Sequence, residues 1–282
     1  MRIFSGNKKN APAPAGGDQT RKAKIMATRF KYEKKNNVGF VTCFEENERR
    51  PCTLDWDSIR MLEEIIKEMG ADPEIRAAVL RSDSPKSFIV GANIAVLETL
   101  NAENIIDWVK NGHRVFGMFQ KLPFPVIAVV ESYALGGGLE LAMSCDMILA
   151  TENARFAQPE ASLGVMPGWG GSYRLANLIG LNRAKEMFYT GEHITARQGY
   201  EWGLVNHVYA DKDSLEQGLA GILDGIAKND ARVLHLTKEI INSHFQNGTE
   251  DNALEEAYTS SVCMNSESTK KRLGDFFASR KK

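Results

Sequence analysis

Two glutamates stand out because each lies among apolar residues beside a cluster of glycines. Glu140 follows three consecutive glycines in YALGGGLELAMSCD (133–146), and Glu160 follows Pro159 in RFAQPEASLGVMPGWGGSYRL (155–175). Apolar surroundings make a carboxylate costly to ionise and raise its pKa, which suits general acid–base catalysis. A lone loop glutamate is more often a helix cap or an ion-pair partner, and sequence spacing alone does not bring the two together.

Glycine-rich turns follow two apolar runs. The stretch VIAVVESYALGGGLELAM predicts a strand, a turn and a helix. The stretch SFIVGANIAVLETL (87–100) predicts a similar turn at Gly91, Ala92 and Asn93. Two such turns would direct two backbone N–H groups at one oxygen, the geometry of an oxyanion hole. Tight strand–helix packing is the alternative explanation. The nucleotide-binding patterns GxGxxG and GxxxxGK[ST] and the GxSxG elbow do not fit these residues.

The periodicity of the chain predicts alternating strands and helices that would position these turns. Predicted strands are 38–44, 75–82, 125–131 and 147–152, and predicted helices are 54–72, 102–122 and 139–146. The alternation continues to about residue 209 and gives way to a helical pattern from 212 to 280. The sequence therefore predicts a basic, disordered arm (1–27), an α/β core (28–209) and a helical C-terminal region (210–282).

Charge is nearly balanced at −1 over 282 residues, but residues 1–35 hold about +8. Such an arm would attract nucleic acid or anionic lipid, or be a solvated tail, and we favour the tail from its composition. Within residues 1–27 only Phe4 offers stacking on single strands. No apolar run has the length of a membrane span, and no secretory signal opens the sequence. The four cysteines lack metal or redox spacing, so we expect a cytoplasmic protein with free thiols.

The central block resembles the crotonase superfamily and, within it, the enoyl-CoA hydratases. The resemblance runs from about residue 28 to 282 and is carried by GANI, by ESYALGGGLELAMSCDMILATENARFAQPEASLGVMPGWGGSYRL, and by LIGLNRAKEMFYTGEHITARQGYEWGLVNHV (178–208). One departure is Asn93, where the family usually has Asp. Both residues cap helices well, so the loop should keep its shape.

The resemblance implies roles for individual residues. Ala92 and Gly137 match the two oxyanion donors, and Glu140 and Glu160 match the catalytic pair, in which we expect Glu140 to activate water and Glu160 to protonate C2 of the substrate. Gly168 matches a glycine that leaves room for the catalytic water. Further residues expected to contact substrate are Gly91, Gly136, Trp169, Arg50, Trp108 and Phe116.

Four of these further residues need a separate comment. Trp169 is bulky within its glycine cluster and would narrow the site. Arg50 would meet a phosphate of coenzyme A or be one of a solvated surface pair. Helical spacing makes aromatic residues such as Trp108 and Phe116 more often core than substrate-binding.

The resemblance also implies a fold, an assembly and a reaction. The fold is an α/β, ClpP/crotonase-like spiral of ββα units with a helical C-terminal region that forms a homotrimer or homohexamer. It implies no metal and no bound cofactor beyond the coenzyme A of an acyl-CoA substrate. The expected reaction is hydration of the C2=C3 bond. Isomerisation, hydration of a cyclic dienoyl-CoA, and hydration with C–C cleavage stay open, as does non-enzymatic nucleic-acid binding through the arm.

Overall fold

A computed structural model describes residues 28–101 and 103–244, together with 267, 269 and 271. The strands in these residues are β1 (Arg29–Lys35), β2 (Val38–Phe44), β3 (Ala77–Ser82), β4 (Ser87–Ile89), β5 (Val126–Val130), β6 (Tyr133–Leu135), β7 (Met147–Thr151), β8 (Arg155–Ala157), β9 (Ile194–Thr195) and β10 (His207–Tyr209). The helices are α1 (Trp56–Ala71), α2 (Ile94–Leu97), α3 (Ile105–Gln120), α4 (Gly137–Ala142), α5 (Gly171–Ile179), α6 (Leu181–Thr190), α7 (Ala196–Trp202), α8 (Lys212–Lys228) and α9 (Ala231–His244).

The strands form two sheets that the chain visits in turn. The larger sheet has the order β1-β2-β3-β5-β7-β10, and all its neighbours pair in parallel except β1 and β2. The smaller sheet has the order β4-β6-β8-β9, with β4, β6 and β8 parallel. From β3 to β8, each pair of strands gives one strand to each sheet before a helical segment follows. This repetition is the predicted spiral of ββα units, so the predicted fold class is confirmed.

The parallel pairing of the smaller sheet decides where the site lies. Strands that run parallel end at the same edge of their sheet, so the segments after β4, β6 and β8 emerge side by side. Those segments are the Gly91 turn, the triple glycine and the Gln158–Glu160 stretch. Residues that are far apart in sequence are thereby brought to one edge.

The core lies on both faces of the larger sheet. Every residue of β5 is buried, as predicted for a continuous apolar strand. Val126, Ala128 and Val130 face the main core with α1 and α3, whereas Ile127 and Val129 face a second cluster that includes Leu215 and Leu219 of α8. The alternation follows from the strand period of two, which sends neighbouring side chains to opposite faces.

Two sequence predictions need correction. α4 begins at Gly137, two residues before the predicted start, and ends at Ala142 rather than at residue 146. Its early start matters because the middle glycine of the triplet becomes its first residue. β1 was not predicted as a strand, because charged residues dominate RFKYEKK and mask the alternation that buries Phe30. Pairing with β2 stabilises this edge strand.

The C-terminal helices pack against the α/β body. The ammonium of Lys238 on α9 is buried and donates to the carbonyls of Phe119 and Phe124 and to Asp146 at 2.7 Å. Within the described residues, no helix has both the length and the apolarity to cross a membrane. The predicted basic arm and most of the chain after His244 lie outside the described residues, so the arm's role and trimerisation stay predictions.

Candidate active site

Three loops meet at the edge where β4, β6 and β8 end. The Gly136 amide donates to the Ala157 carbonyl at 2.9 Å, which joins the triple glycine to the end of β8. The position of a Cβ on Gly91 would lie 3.7 Å from the Gly137 nitrogen. A Cβ on Gly136 would lie 3.0 Å from Oε1 of Glu160. The structure thus brings together Gly91, Gly136, Gly137 and Glu160, which the sequence could only place in separate turns.

The N–H groups of Ala92 and Gly137 have no hydrogen-bond partner among the described residues. Leu54 donates to the Gly91 carbonyl at 2.8 Å and accepts from the Asn93 amide at 2.7 Å, so the intervening Ala92 amide points away from Leu54. Gly137 is the first residue of α4, a position whose N–H has no partner inside its own helix. The positive end of the helix dipole adds to the attraction for negative charge there.

Each glycine of the triplet is needed for a different structural reason. Gly136 has φ +50° and ψ −123°, a backbone conformation that L side chains rarely adopt. A Cβ on Gly137 would approach the indole of Trp169 to 2.5 Å, and a Cβ on Gly138 would overlap the carbonyl oxygen of Ile89 in β4. The triplet therefore seats the first turn of α4 directly against β4 and against Trp169.

Glu140 is buried, with 2% of its surface exposed, and its carboxylate is held by backbone donors. Oε1 accepts from the amides of Trp169 at 2.8 Å and Gly171 at 2.7 Å. Burial raises the pKa of Glu140, and these amides together with the Arg174 guanidinium act in the opposite direction. Burial therefore disfavours the ionised carboxylate, and the amides and Arg174 offset only part of that cost.

Arg174 is a site residue that sequence reasoning missed. Its side chain is 6% exposed, and Nη1 donates to the Trp169 carbonyl at 2.7 Å. It thereby fixes the same turn whose amides hold Glu140 and adds positive charge nearby. The signal in the sequence was an arginine three residues after Gly171 on a helix that begins with glycines, which is too common a pattern to single out.

Glu160 begins a 3-10 turn (Glu160–Leu163) directly after β8. Burial and the negative charge of Glu140 raise the pKa of Glu160 to about 7, while its own backbone amide opposes the shift. Gln158, a second residue that the sequence analysis missed, is fully buried. With its amide oriented by the hydrogen-bond network, its nitrogen donates to both carboxylate oxygens of Glu160 at 2.8 and 3.0 Å, which also opposes the rise in pKa.

The surroundings of Gly171 place the carboxylates of Glu140 and Glu160 in one site. A Cβ on Gly171 would lie 2.9 Å from Oε1 of Glu140 and 2.9 Å from the side-chain amide of Gln158, which contacts Glu160. The charge of Glu140 is also felt at Glu160. Two like-charged groups in one site titrate as a pair, and the charge of Glu140 makes Glu160 hold its proton more tightly.

The raised pKa of Glu160 predicts a measurable stability cost at high pH. Because the folded state binds this proton more tightly than the unfolded state, the free energy of unfolding falls as pH rises from 4.5 through about 7. Glu160→Gln should therefore stabilise the protein above this range by up to roughly 3 kcal/mol, and much less near about pH 4. Denaturant unfolding of wild type and Glu160→Gln at about pH 4 and about pH 9 measures the difference.

The matched control for this stability experiment is Glu152→Gln, which removes an exposed glutamate close by in the chain. It should change the stability by less than about 0.5 kcal/mol at either pH. Equal stabilities of wild type and Glu160→Gln at about pH 9 would contradict the raised pKa.

The structure places the other predicted site residues in a buried aromatic cluster, in the turn that holds Glu140, and on the surface. Trp169 is buried beside Gly137, and Trp108 and Phe116 of α3 contact its indole at centroid distances of 4.9 and 5.3 Å. Gly168 lies in the turn that holds Glu140, packed towards Val109. Arg50 is exposed in the turn before Pro51, and its guanidinium has no ion pair with any described residue. Contact of these residues with substrate stays a prediction.

Comparisons with known proteins agree on one family. A family model described as enoyl-CoA hydratase/isomerase matches residues 33–282. The chain is 34% identical over 249 residues, 88% of its length, to a short-chain-enoyl-CoA hydratase of Clostridium acetobutylicum, 94% of which is covered. It is 32% identical over 228 residues to a crotonyl-CoA hydratase of Syntrophomonas wolfei, covering 81% of this chain and 87% of that protein.

Solved structures give the same result. The crystal structure of an enoyl-CoA hydratase from Bacillus anthracis superimposes with a TM-score of 0.82 at 29% identity, covering 89% of this chain and 96% of that one. An enoyl-CoA hydratase structure from Geobacillus kaustophilus gives a TM-score of 0.84 at 26% identity, covering 89% and 94% of the two chains.

Among the residues described for this chain, no group of three or more His, Cys, Asp or Glu is arranged to hold a metal ion.

Proposed function

Because the chain belongs to the enoyl-CoA hydratase/isomerase family, we propose that it adds water across the C2=C3 double bond of an α,β-unsaturated acyl-CoA. The observation that carries the proposal is the pair formed by buried Glu140 and partly buried Glu160, beside two backbone N–H groups that have no partner among the described residues. Isomerisation needs only one group that moves a proton, whereas hydration needs one group for the water and one for C2. Two carboxylates therefore favour hydration.

The thioester carbonyl oxygen binds between the N–H groups of Ala92 and Gly137 in this mechanism. Attack of water at C3 sends the π electrons towards the carbonyl, and negative charge develops on that oxygen as an enolate. Fixed N–H donors and the α4 dipole stabilise this charge without reorganising during the reaction. Removal of one such donor typically costs about 2.7–4 kcal/mol of transition-state stabilisation.

The carboxylates divide the proton transfers. Glu140, whose ionised form is supported by two backbone amides and Arg174, takes a proton from water as the oxygen bonds to C3. Glu160, with its pKa near 7, carries the proton and gives it to C2. The pair begins and ends with one proton, now on Glu140, and the net change is addition of one water. Solvent exchange of protons resets the pair.

The experiment that tests the function follows the loss of the conjugated thioester absorbance with crotonyl-CoA. The expected product is 3-hydroxybutyryl-CoA and, in deuterated water, one deuterium should appear at C2. Conversion of a 3-enoyl-CoA to a 2-enoyl-CoA without hydration would indicate an isomerase instead. No reaction of the folded protein with any 2-enoyl-CoA would overturn the proposal.

The pH dependence should report the shared proton. We expect kcat/KM for crotonyl-CoA to decline above about pH 7, because the pair then loses the proton that C2 receives. Dehydration of 3-hydroxybutyryl-CoA should decline in parallel, since both directions need a singly protonated pair. Initial rates at subsaturating substrate between about pH 5 and about pH 9 give both profiles. A flat profile through neutral pH would contradict this assignment.

The charge of Arg174 should set the pH at which kcat/KM declines. Its charge lowers the pKa of Glu140, so Arg174→Met should raise the proton affinity of the pair. The declining limbs of the hydration and dehydration profiles should then both move to higher pH. Arg174→Lys keeps a positive charge and a donor for the Trp169 carbonyl, and it should move the limbs less. The exposed Arg60 provides the control, because Arg60→Met should leave the profile in place. Lower stability with unchanged limbs in Arg174→Met would mean that Arg174 is only structural.

A further inference from the structure

The indole of Trp169 fills the space between α3 and the first turn of α4. Its ring is 2% exposed and lies against the backbone of Gly137 on one side and Gly112 of α3 on the other. A Cβ on Gly137 would approach the indole to 2.5 Å, and a Cβ on Gly112 would overlap it. Two glycines on different helices therefore make room for one large side chain.

The indole is fixed in this position by several contacts. Its Nε1–H donates to the Trp108 carbonyl at 3.3 Å, and its ring packs on Trp108 and on the edge of Phe116. Swinging the ring away would break the hydrogen bond and leave the surfaces of Trp108 and Phe116 unpacked. The ring is thus a rigid part of the wall rather than a mobile lid.

The proposed chemistry places the substrate chain next to this ring. Glu140 activates the water that attacks C3, so C3 lies close to the Glu140 carboxylate. The amide of Trp169 itself donates to that carboxylate at 2.8 Å, and the Trp169 side chain covers Gly137, whose N–H faces the thioester oxygen. The indole therefore fills space directly beside the position that the proposed chemistry gives to C3.

We infer that Trp169 limits the acyl group of the substrate to short chains of the crotonyl class, an inference that rests on the proposed function. A longer chain would need the volume of the indole or a displacement of the aromatic cluster formed by Trp169, Trp108 and Phe116. A hydrophobic pocket discriminates by about 10–200-fold for one methylene that does or does not fit. A buried ring at this position is therefore enough to set a sharp limit.

The test is a graded series at position 169 against 2-enoyl-CoAs of increasing length. Trp169→Ala should raise the ratio of kcat/KM for octenoyl-CoA over crotonyl-CoA at least tenfold, mainly through a lower KM for octenoyl-CoA. Trp169→Phe, which keeps an aromatic ring, should give an intermediate ratio and covers the case in which the alanine variant does not fold. Both variants keep the backbone amide that holds Glu140.

The matched control is Trp202→Ala, which removes the same kind of side chain from α7, where it packs against Arg183. It should leave the ratio unchanged. Wild-type rates that are as high with octenoyl-CoA as with crotonyl-CoA would overturn the inference. So would Trp169 variants that lower the rates for all chain lengths in parallel, because a merely structural role predicts that pattern.

Binding of saturated thioesters separates this inference from the proposed function. Wild type should bind butyryl-CoA more tightly than octanoyl-CoA in calorimetry, and Trp169→Ala should reverse or abolish that order. If the protein shows this reversal but hydrates no enoyl-CoA, the pocket limit stands and the hydratase proposal fails. If it hydrates crotonyl-CoA but binds both thioesters equally, the hydratase proposal stands and the pocket limit fails.

Discussion

Glu160→Gln should lower kcat for hydration of crotonyl-CoA by about 10²–10⁴-fold, because the glutamine amide has no acidic proton to give to C2. Glu140→Gln should lower it by a similar factor, because an amide does not take a proton from water. Glutamine keeps an oxygen that accepts from the Trp169 and Gly171 amides, so the loop that holds residue 140 should keep its shape. The defects should therefore lie in the chemistry rather than in the fold.

The double variant gives a second check on this pair. Groups that act as a unit lose most of their effect when the first is removed, so the double variant should be little slower than the worse single variant. Absorbance-based initial rates at saturating crotonyl-CoA measure all three, and circular dichroism verifies folding. The control is Glu152→Gln, which removes an exposed carboxylate and should retain wild-type rates. Either single variant with more than about a tenth of wild-type kcat would exclude its proposed role.

Gly138→Ala should be among the most damaging small substitutions in the chain. The new Cβ would overlap the Ile89 carbonyl oxygen, and both atoms belong to backbone that is held in β4 and α4. Overpacking of this kind costs about 1–3 kcal/mol of stability and occasionally more. Relief of the overlap would move the first turn of α4, which carries the Gly137 amide, so kcat should fall as well.

Gly117 of α3 supplies the matched control for Gly138. A Cβ there would meet nothing within 4 Å, and alanine is the better helix former, so Gly117→Ala should stabilise by about 0.5–1 kcal/mol. Denaturant unfolding and crotonyl-CoA rates on both variants make the comparison. Wild-type stability and activity in Gly138→Ala would contradict the close packing of α4 on β4.

Much of the local structure was predictable from the sequence because it depends on neighbouring residues. The strand predicted at 125–131 is β5, and the helix predicted at 54–72 is α1. The edge strand β1 was missed because its charges face solvent and only pairing with β2 reveals its buried side. The end of α4 was misplaced because no residue of a strong terminating type follows it.

The candidate site also has features that the sequence determined and others that only the tertiary structure determined. The sequence by itself determined which groups are present: two glutamates in apolar surroundings, glycines before a helix, and a central block that resembles the enoyl-CoA hydratases. Only the tertiary structure decided that Glu140, Glu160 and Gly91 meet, because the parallel order β4-β6-β8 brings the ends of three separate strands to one edge. Contacts of Arg174, Gln158 and Trp169 with the site depend on that long-range arrangement. No local pattern of residue types encodes them, since each is formed by segments whose spacing along the chain leaves their spatial relation open.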